Sequence, residues 1–112
     1  MVRNGAAISL IPAHEVEWIE SAGNYLVIQT GDARHVLRGT LSEMESRLDP
    51  RRFVRLSRSI LANSAFIDRL DVTAPGQYEA VMNRGNRLKV TRSLREMRTS
   101  LQSNGGAWLP PG

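Results

Sequence analysis

Residues 51–59, which read RRFVRLSRS, are the part of this sequence whose residue types and spacing best suit chemistry. They include four arginines and no acidic residue. A guanidinium group is planar and donates two parallel hydrogen bonds to a phosphate or to a guanine edge. Arg58 lies between Ser57 and Ser59 on a predicted connection between two strands, and small hydroxyl side chains there let a ligand approach the backbone closely. The segment is suited to contact with phosphates and bases, although taken alone it would favour a polar turn with a solvent-facing arginine.

The charge of the whole chain favours a polyanionic partner. Fifteen basic residues, fourteen of them arginine, stand against eleven acidic ones, for a net charge of +4. Residues 1–50 hold four basic and seven acidic residues, whereas residues 51–112 hold eleven and four. A basic half beside an acidic half is typical of nucleic-acid partners, although solvated surface arginines are also common in small domains.

Catalytic and metal sites are not indicated. The absence of cysteine excludes disulfides, cysteine-based metal sites and thiol catalysis. His14-Glu15 begins like a zinc-protease helix, but Trp18 stands where that motif needs its second histidine. There is no Gly-x-Ser-x-Gly elbow, phosphate-binding loop or dinucleotide fingerprint. The sequence therefore predicts no enzyme activity, no cofactor and no metal.

Length and composition predict one ordinary globular domain. The chain has 112 residues, of which 41% are hydrophobic and 23% charged. We expect a folded domain over residues 1–102 and an untethered tail over residues 103–112, which is rich in glycine and proline. No apolar run approaches the roughly 20 residues that span a bilayer. With no secretory signal either, we expect a cytoplasmic location and no membrane partner.

Short runs of strand-forming residues, separated by turn residues, predict a mainly β fold. The predicted strands are residues 6–11, 16–20, 25–30, 34–37, 53–56, 60–62, 67–73, 78–82 and 87–90. Gly31-Asp32 predicts a turn that joins two of these runs into a hairpin. Alternation along residues 53–56 predicts that Phe53 faces one side of a sheet while Val54 and Leu56 face the other.

One or two short helices accompany the strands. Thr40, with Glu43 three positions later, is typical of a helix start, and Asp49-Pro50 ends that helix. A second helix is predicted over residues 91–102, with Arg92, Arg95 and Arg98 beside its apolar face. Neither predicted helix is followed closely by another, which disfavours a helix-turn-helix.

Several short motifs occur in order along the chain. They are residues 16–21 with Gly23-Asn24-Tyr25; Arg38-Gly39-Thr40-Leu41 with Glu45 and Leu48; Phe53-Val54-Arg55 with Arg58-Ser59; Asn63 with Ile67; and Val90-Thr91-Arg92. Together they resemble the LytTR (LytR/AlgR-type) DNA-binding domain of bacterial transcription regulators, over roughly residues 8–101. Histidine is common in that family where Ser57 stands, and serine where Thr91 stands.

The resemblance implies an elongated fold of stacked antiparallel sheets, the LytTR-like β-β-β sandwich. It also implies sequence-specific binding to double-stranded DNA, with side chains on loops and strand ends entering successive major grooves. Such domains usually follow a receiver domain in a response regulator of a two-component system and bind paired direct repeats in promoters as homodimers. A receiver or sensor domain is therefore expected outside this chain.

Carried over position by position, the resemblance and the residue chemistry predict two sets of DNA contacts. The candidates for reading bases are Asn24, Ser57, Arg58 and Arg92. The candidates for contacting phosphates are Arg55, Ser59, Arg87, Lys89 and Arg95.

Two other kinds of binding module stay open. One is a small β-rich protein-interaction module whose basic face meets an acidic surface. The other is an RNA-binding module that uses Tyr25 and Phe53, but aromatic residues are only 5% of the chain and no pair is spaced as a stacking platform. Binding to duplex DNA should weaken steeply with added salt, whereas binding by a protein-interaction module should not.

Overall fold

A computed structural model describes residues 2–4, 7–9 and 11–91 of the chain. In chain order the elements are β1 (Val2–Asn4), β2 (Ala7–Ser9), β3 (Trp18–Ala22), β4 (Tyr25–Thr30), β5 (Ala33–Arg38), α1 (Leu41–Arg47), β6 (Phe53–Arg55), β7 (Ile60–Asn63), β8 (Ile67–Ala74), β9 (Gln77–Met82) and β10 (Arg87–Val90). Short 3-10 turns lie at Ala13–Glu15 and Ser64–Phe66. The predicted second helix and the predicted tail lie outside the described residues.

The strands form three antiparallel sheets. β1 pairs with β2, a five-stranded sheet has the order β5-β4-β3-β7-β6, and a three-stranded sheet has the order β10-β9-β8. The molecule is elongated, with principal extents of 51 × 26 × 25 Å. The predicted fold class is confirmed, including the hairpin of β4 and β5. The first predicted strand is shorter than expected, and its partner β1 is a strand that the sequence pattern did not predict.

The five-stranded sheet is covered on both faces because its side chains alternate. Phe53 packs on one face, while Val54 and Leu56 pack on the other, as predicted. The core between this sheet and the three-stranded sheet contains Trp18, Val54, Leu56, Ala62, Ile67, Ala80, Met82, Leu88 and Val90. The core on the opposite face, which includes Leu41 of α1, contains Val16, Ile19, Leu26, Ile28, Leu41, Phe53 and Leu61. This double packing buries residues of β6 and β7 on both faces of the sheet.

Helix α1 begins with a side-chain cap and is followed by a turn that the Asp49 side chain stabilises. The Thr40 hydroxyl accepts a hydrogen bond from the Glu43 amide at 3.2 Å, as its sequence pattern predicts. After the helix, the Asp49 carboxylate accepts a hydrogen bond from the Arg51 amide at 2.9 Å. That bond, together with the Arg51 guanidinium, lowers the pKa of Asp49. The Thr40 cap stabilises the start of α1, and the Asp49 turn leads the chain from the helix toward β6.

A charged cluster joins the two larger sheets at one end. The buried Glu17 carboxylate accepts a hydrogen bond from the Gly31 amide at 2.6 Å and lies 3.5 Å from Nη1 of Arg84. Arg84, in the β9–β10 turn, also pairs with Asp32 in the β4–β5 turn. Gly31 has a φ of +57°, and a Cβ there would stand 3.2 Å from Arg84 Nη1. The cluster fixes the orientation of the three-stranded sheet relative to the five-stranded one.

Candidate nucleic-acid interface

Two neighbouring connections meet at the opposite end of the five-stranded sheet. They are the β3–β4 turn, with Gly23 and Asn24, and the β6–β7 loop, residues 57–59. Because β3 pairs with both β4 and β7, these connections lie side by side, and the Ser21 amide donates to the Ser59 carbonyl at 2.9 Å. Gly23 has a φ of +62°, which favours glycine in this tight turn. Asn24 and Arg58, far apart in sequence, therefore lie on the tips of adjacent hairpins.

The β6–β7 loop is shaped by side chains. Arg55 Nε donates to the Ser57 carbonyl and Arg55 Nη2 to the Arg58 carbonyl, both at 2.8 Å. Arg55 Nη1 donates to Oε1 of Glu45 in α1, also at 2.8 Å. The Ser57 hydroxyl accepts from the Ser59 amide at 3.2 Å, a local turn typical of serine. One guanidinium thus holds two loop carbonyls while a helix carboxylate holds the guanidinium.

Most of the described arginines have a carboxylate within 4.0 Å. These paired residues are Arg51, Arg52, Arg55, Arg69, Arg84 and Arg87. Asp71 and Asp68, as hydrogen-bond acceptors, raise the pKa of Arg69. Among residues 11–91, Arg58 has no such pair with another described residue, and its side chain is exposed. Arg58 therefore presents an uncompensated positive charge at the tip of the β6–β7 loop.

The end of β10 reaches the same place. The Thr91 amide donates to the Leu56 carbonyl at 3.0 Å, which brings the last described residue next to the β6–β7 loop. Arg92, which follows it in the sequence, and Arg95 lie outside the described residues. The β3–β4 turn with Asn24, the β6–β7 loop with Arg58 and the residue after β10, Thr91, therefore lie near one another.

The remaining phosphate candidates differ in their surroundings. Lys89 is exposed on β10 and has no carboxylate partner in the described part of the chain. Arg87 lies 2.7 Å from Asp71 and 3.3 Å from Glu79, so its charge is locally compensated. Ser59 is exposed on the β6–β7 loop. Of these, Lys89 presents its charge most freely.

A cross-strand pair beside Asn24 lies outside the predicted set of DNA contacts. Tyr25, whose exposed fraction is 50%, pairs with the exposed Arg38 across β4 and β5. The Gly39 amide, which follows Arg38, donates to the Asn24 carbonyl at 3.0 Å. The register was readable from the sequence, because counting outward from the Gly31-Asp32 turn brings Tyr25 opposite Arg38. The pair adds a positive charge and an exposed aromatic ring to this end.

Other kinds of site are not found in the described ranges. Residues 11–91 contain no group of three or more histidine, aspartate and glutamate side chains arranged to hold a metal ion. No helix in the same part of the chain is long and apolar enough to cross a bilayer. The sheet end instead presents the exposed side chains of Asn24, Arg38 and Arg58. Their hydrogen-bond donors and positive charge suit a large anionic partner.

Comparison with known proteins identifies the family of the chain. The sequence profile of the LytTr DNA-binding domain matches residues 6–102. The chain belongs to the LytTR DNA-binding domain family. A solved LytTr DNA-binding domain from Bacillus cereus superposes with a TM-score of 0.80 at 19% sequence identity, covering 89% of this chain and 93% of that one. At this identity the likeness concerns the fold. No curated protein sequence matches the chain.

Membership in the LytTR family confirms the assignment made from the ordered motifs. LytTR domains are DNA-binding domains of transcription regulators, so the DNA-binding class is established for this chain at that level. The matched range includes every residue predicted to contact DNA, from Asn24 to Arg95. The individual contacts remain predictions.

Proposed function

We propose that this LytTR domain binds double-stranded DNA sequence-specifically and reads the major groove with the sheet end that carries Asn24 and Arg58. The observation that supports this most strongly is that the exposed Arg58, which has no carboxylate partner among the described residues, stands beside the exposed Asn24 on a loop held by side-chain hydrogen bonds. A rigid loop is needed because base discrimination depends on the placement of two parallel hydrogen bonds to one base edge. Arg58, on this proposal, reads guanine, and Asn24 reads adenine or contacts a phosphate.

The other base-reading candidates have different parts in the proposal. Arg92 follows Thr91, whose amide is bound to the carbonyl of Leu56, and acts as a second guanine reader. Ser57 is half-buried, and its hydroxyl accepts a hydrogen bond from the Ser59 amide. In the proposal Ser57 therefore helps to shape the loop and makes one hydroxyl contact with DNA. Since Ser57 is shorter than the histidine common in the family, the base preference beside it differs.

Phosphate contacts give affinity without sequence information. Lys89, Arg95 and Ser59 serve this role in the proposal, and Arg38 joins them because it is exposed next to Asn24. Arg87 contributes less, because Asp71 and Glu79 already neutralise it. Binding that depends on such cations should weaken steeply as the salt concentration rises, because the release of counterions from DNA then gains less free energy.

The biological setting follows from the family and is part of the proposal. The domain over residues 1–102 acts as the effector domain of a cytoplasmic response regulator and binds paired direct repeats in promoters as a homodimer. A receiver or sensor domain supplies the activating signal.

Selection from a library of random duplexes at near-physiological salt tests this function. We expect enrichment of one motif in two copies at a fixed spacing, with an affinity that falls as salt rises. Single-stranded RNA of matching sequence should compete poorly. No enrichment over random duplex, or binding insensitive to salt, would contradict the proposal and favour a protein-interaction module with a basic face.

A further inference from the structure

Backbone hydrogen bonds close the base of the β6–β7 loop, where the Leu56 and Ser57 amides donate to the Ile60 carbonyl at 2.9 and 3.4 Å. The carbonyls of Ser57 and Arg58 are instead bound by Arg55, which enters from the end of β6. A guanidinium can satisfy both carbonyls at once because its donors are arranged in a fixed planar fork. An amine could not hold the same two acceptors in the same geometry.

Glu45 orients that fork. It lies in α1, ten residues earlier in the sequence, and its carboxylate accepts from Arg55 Nη1 at 2.8 Å. Charge-assisted bonds of this kind are short and directional. The side chain of Arg55 is only 23% exposed, whereas Arg58, three residues later, is exposed and has no carboxylate within 4.0 Å among the described residues. The geometry therefore gives Arg55 and Arg58 different tasks, although the sequence made both of them candidates for DNA contact.

We propose that Arg55 is a positioning residue and that the Glu45–Arg55 pair sets the shape of the β6–β7 loop, and through it the base preference of Arg58. This inference rests on the proposed function, since it assumes that Arg58 reads bases. It differs from the sequence-based expectation that Arg55 neutralises a phosphate. The Arg55 guanidinium, which Glu45 orients, holds the loop in one conformation. Less conformational entropy is therefore lost when Arg58 binds a base.

Two substitutions separate positioning from phosphate contact. Arg55→Lys keeps the positive charge but removes the fork. We expect the ratio of affinities for the selected and a scrambled duplex to fall roughly tenfold, within the range of one base contact, with little change for the scrambled duplex or in the salt slope. Glu45→Gln replaces the charge-assisted hydrogen bond to Arg55 with a weaker neutral one. It should lower the ratio of affinities for the selected and the scrambled duplex by about threefold. If Glu45 acted only as a charge, its removal would instead strengthen binding to both duplexes.

Glu43→Gln is the matched control, because it makes the same charge change on the same helix without touching Arg55. Its affinity ratio should equal that of the wild-type chain. Thermal unfolding of each variant, followed by circular dichroism, shows whether the compared proteins are folded. If Arg55→Lys does not fold, the affinity ratio of Glu45→Gln decides the question.

Three results would overturn the inference. Equal weakening on both duplexes by Arg55→Lys, with a salt slope reduced by about one unit, would make Arg55 a phosphate contact. An unchanged affinity ratio in both Arg55→Lys and Glu45→Gln would show that the pair does not affect base preference. If the wild-type chain itself does not distinguish the two duplexes, the proposed function fails, and the inference fails with it for that separate reason.

Discussion

Replacing Arg58 with alanine should remove most of the preference for the selected duplex. Arg58 is exposed at the tip of the β6–β7 loop and has no carboxylate partner among the described residues, so its donors are free to bind a base edge. A bidentate arginine–guanine contact is worth about 1–3 kcal/mol of discrimination. We therefore expect the affinity for the selected duplex to fall roughly 5- to 150-fold. Titration of labelled duplexes at constant salt measures this change.

Lys89→Ala is the charge-matched control for Arg58→Ala. Lys89 is also exposed and unpaired in the described part of the chain, but it lies on β10 and its single ammonium carries no base-specific geometry. This variant should weaken the selected and scrambled duplexes alike and reduce the salt slope by about one unit. If Arg58→Ala behaves in the same way as Lys89→Ala, Arg58 contacts a phosphate and does not read a base.

Asn63→Ala should strongly destabilise the fold. Asn63 is 3% exposed, and its Nδ2 donates to the carbonyl of Val16 at 2.9 Å while its Oδ1 accepts from the amide of Ala65 at 3.0 Å. Alanine would leave both backbone groups without these partners, and each such loss costs about 1–3 kcal/mol in a buried site. We expect the free energy of unfolding to fall by about 3 kcal/mol, a large share of the roughly 5–15 kcal/mol of a typical domain.

Urea denaturation followed by circular dichroism measures the effect of Asn63→Ala. Asn86→Ala is the matched control, because Asn86 is exposed in the β9–β10 turn and its side chain makes no hydrogen bond with another described residue. We expect Asn86→Ala to stay within about 0.5 kcal/mol of the wild-type chain, as surface substitutions usually do. A similarly small effect of Asn63→Ala would show that the bonds to Val16 and Ala65 are replaced by water.

Local patterns were enough to predict most elements of the fold. Turn residues such as Gly31-Asp32 end strands because of their backbone preferences, and Thr40 begins a helix because its hydroxyl caps a free amide. The alternation at Phe53 and Val54 even indicated that β6 has two buried faces. The three-residue strand β1 was missed because a short polar run such as Val2–Asn4 carries too little periodicity to be recognised.

What the sequence by itself determined is the family, the approximate position of most strands along the chain and the set of residues that carry positive charge. These follow from residue types and from spacing along the chain, which are local properties. Only the tertiary structure decided which charges are free. Arg55 and Arg58 are three positions apart and look equivalent in the sequence, yet one is held by Glu45 and two carbonyls and the other is exposed. The difference arises because α1 packs next to the end of β6, and such long-range packing is not written in any local pattern.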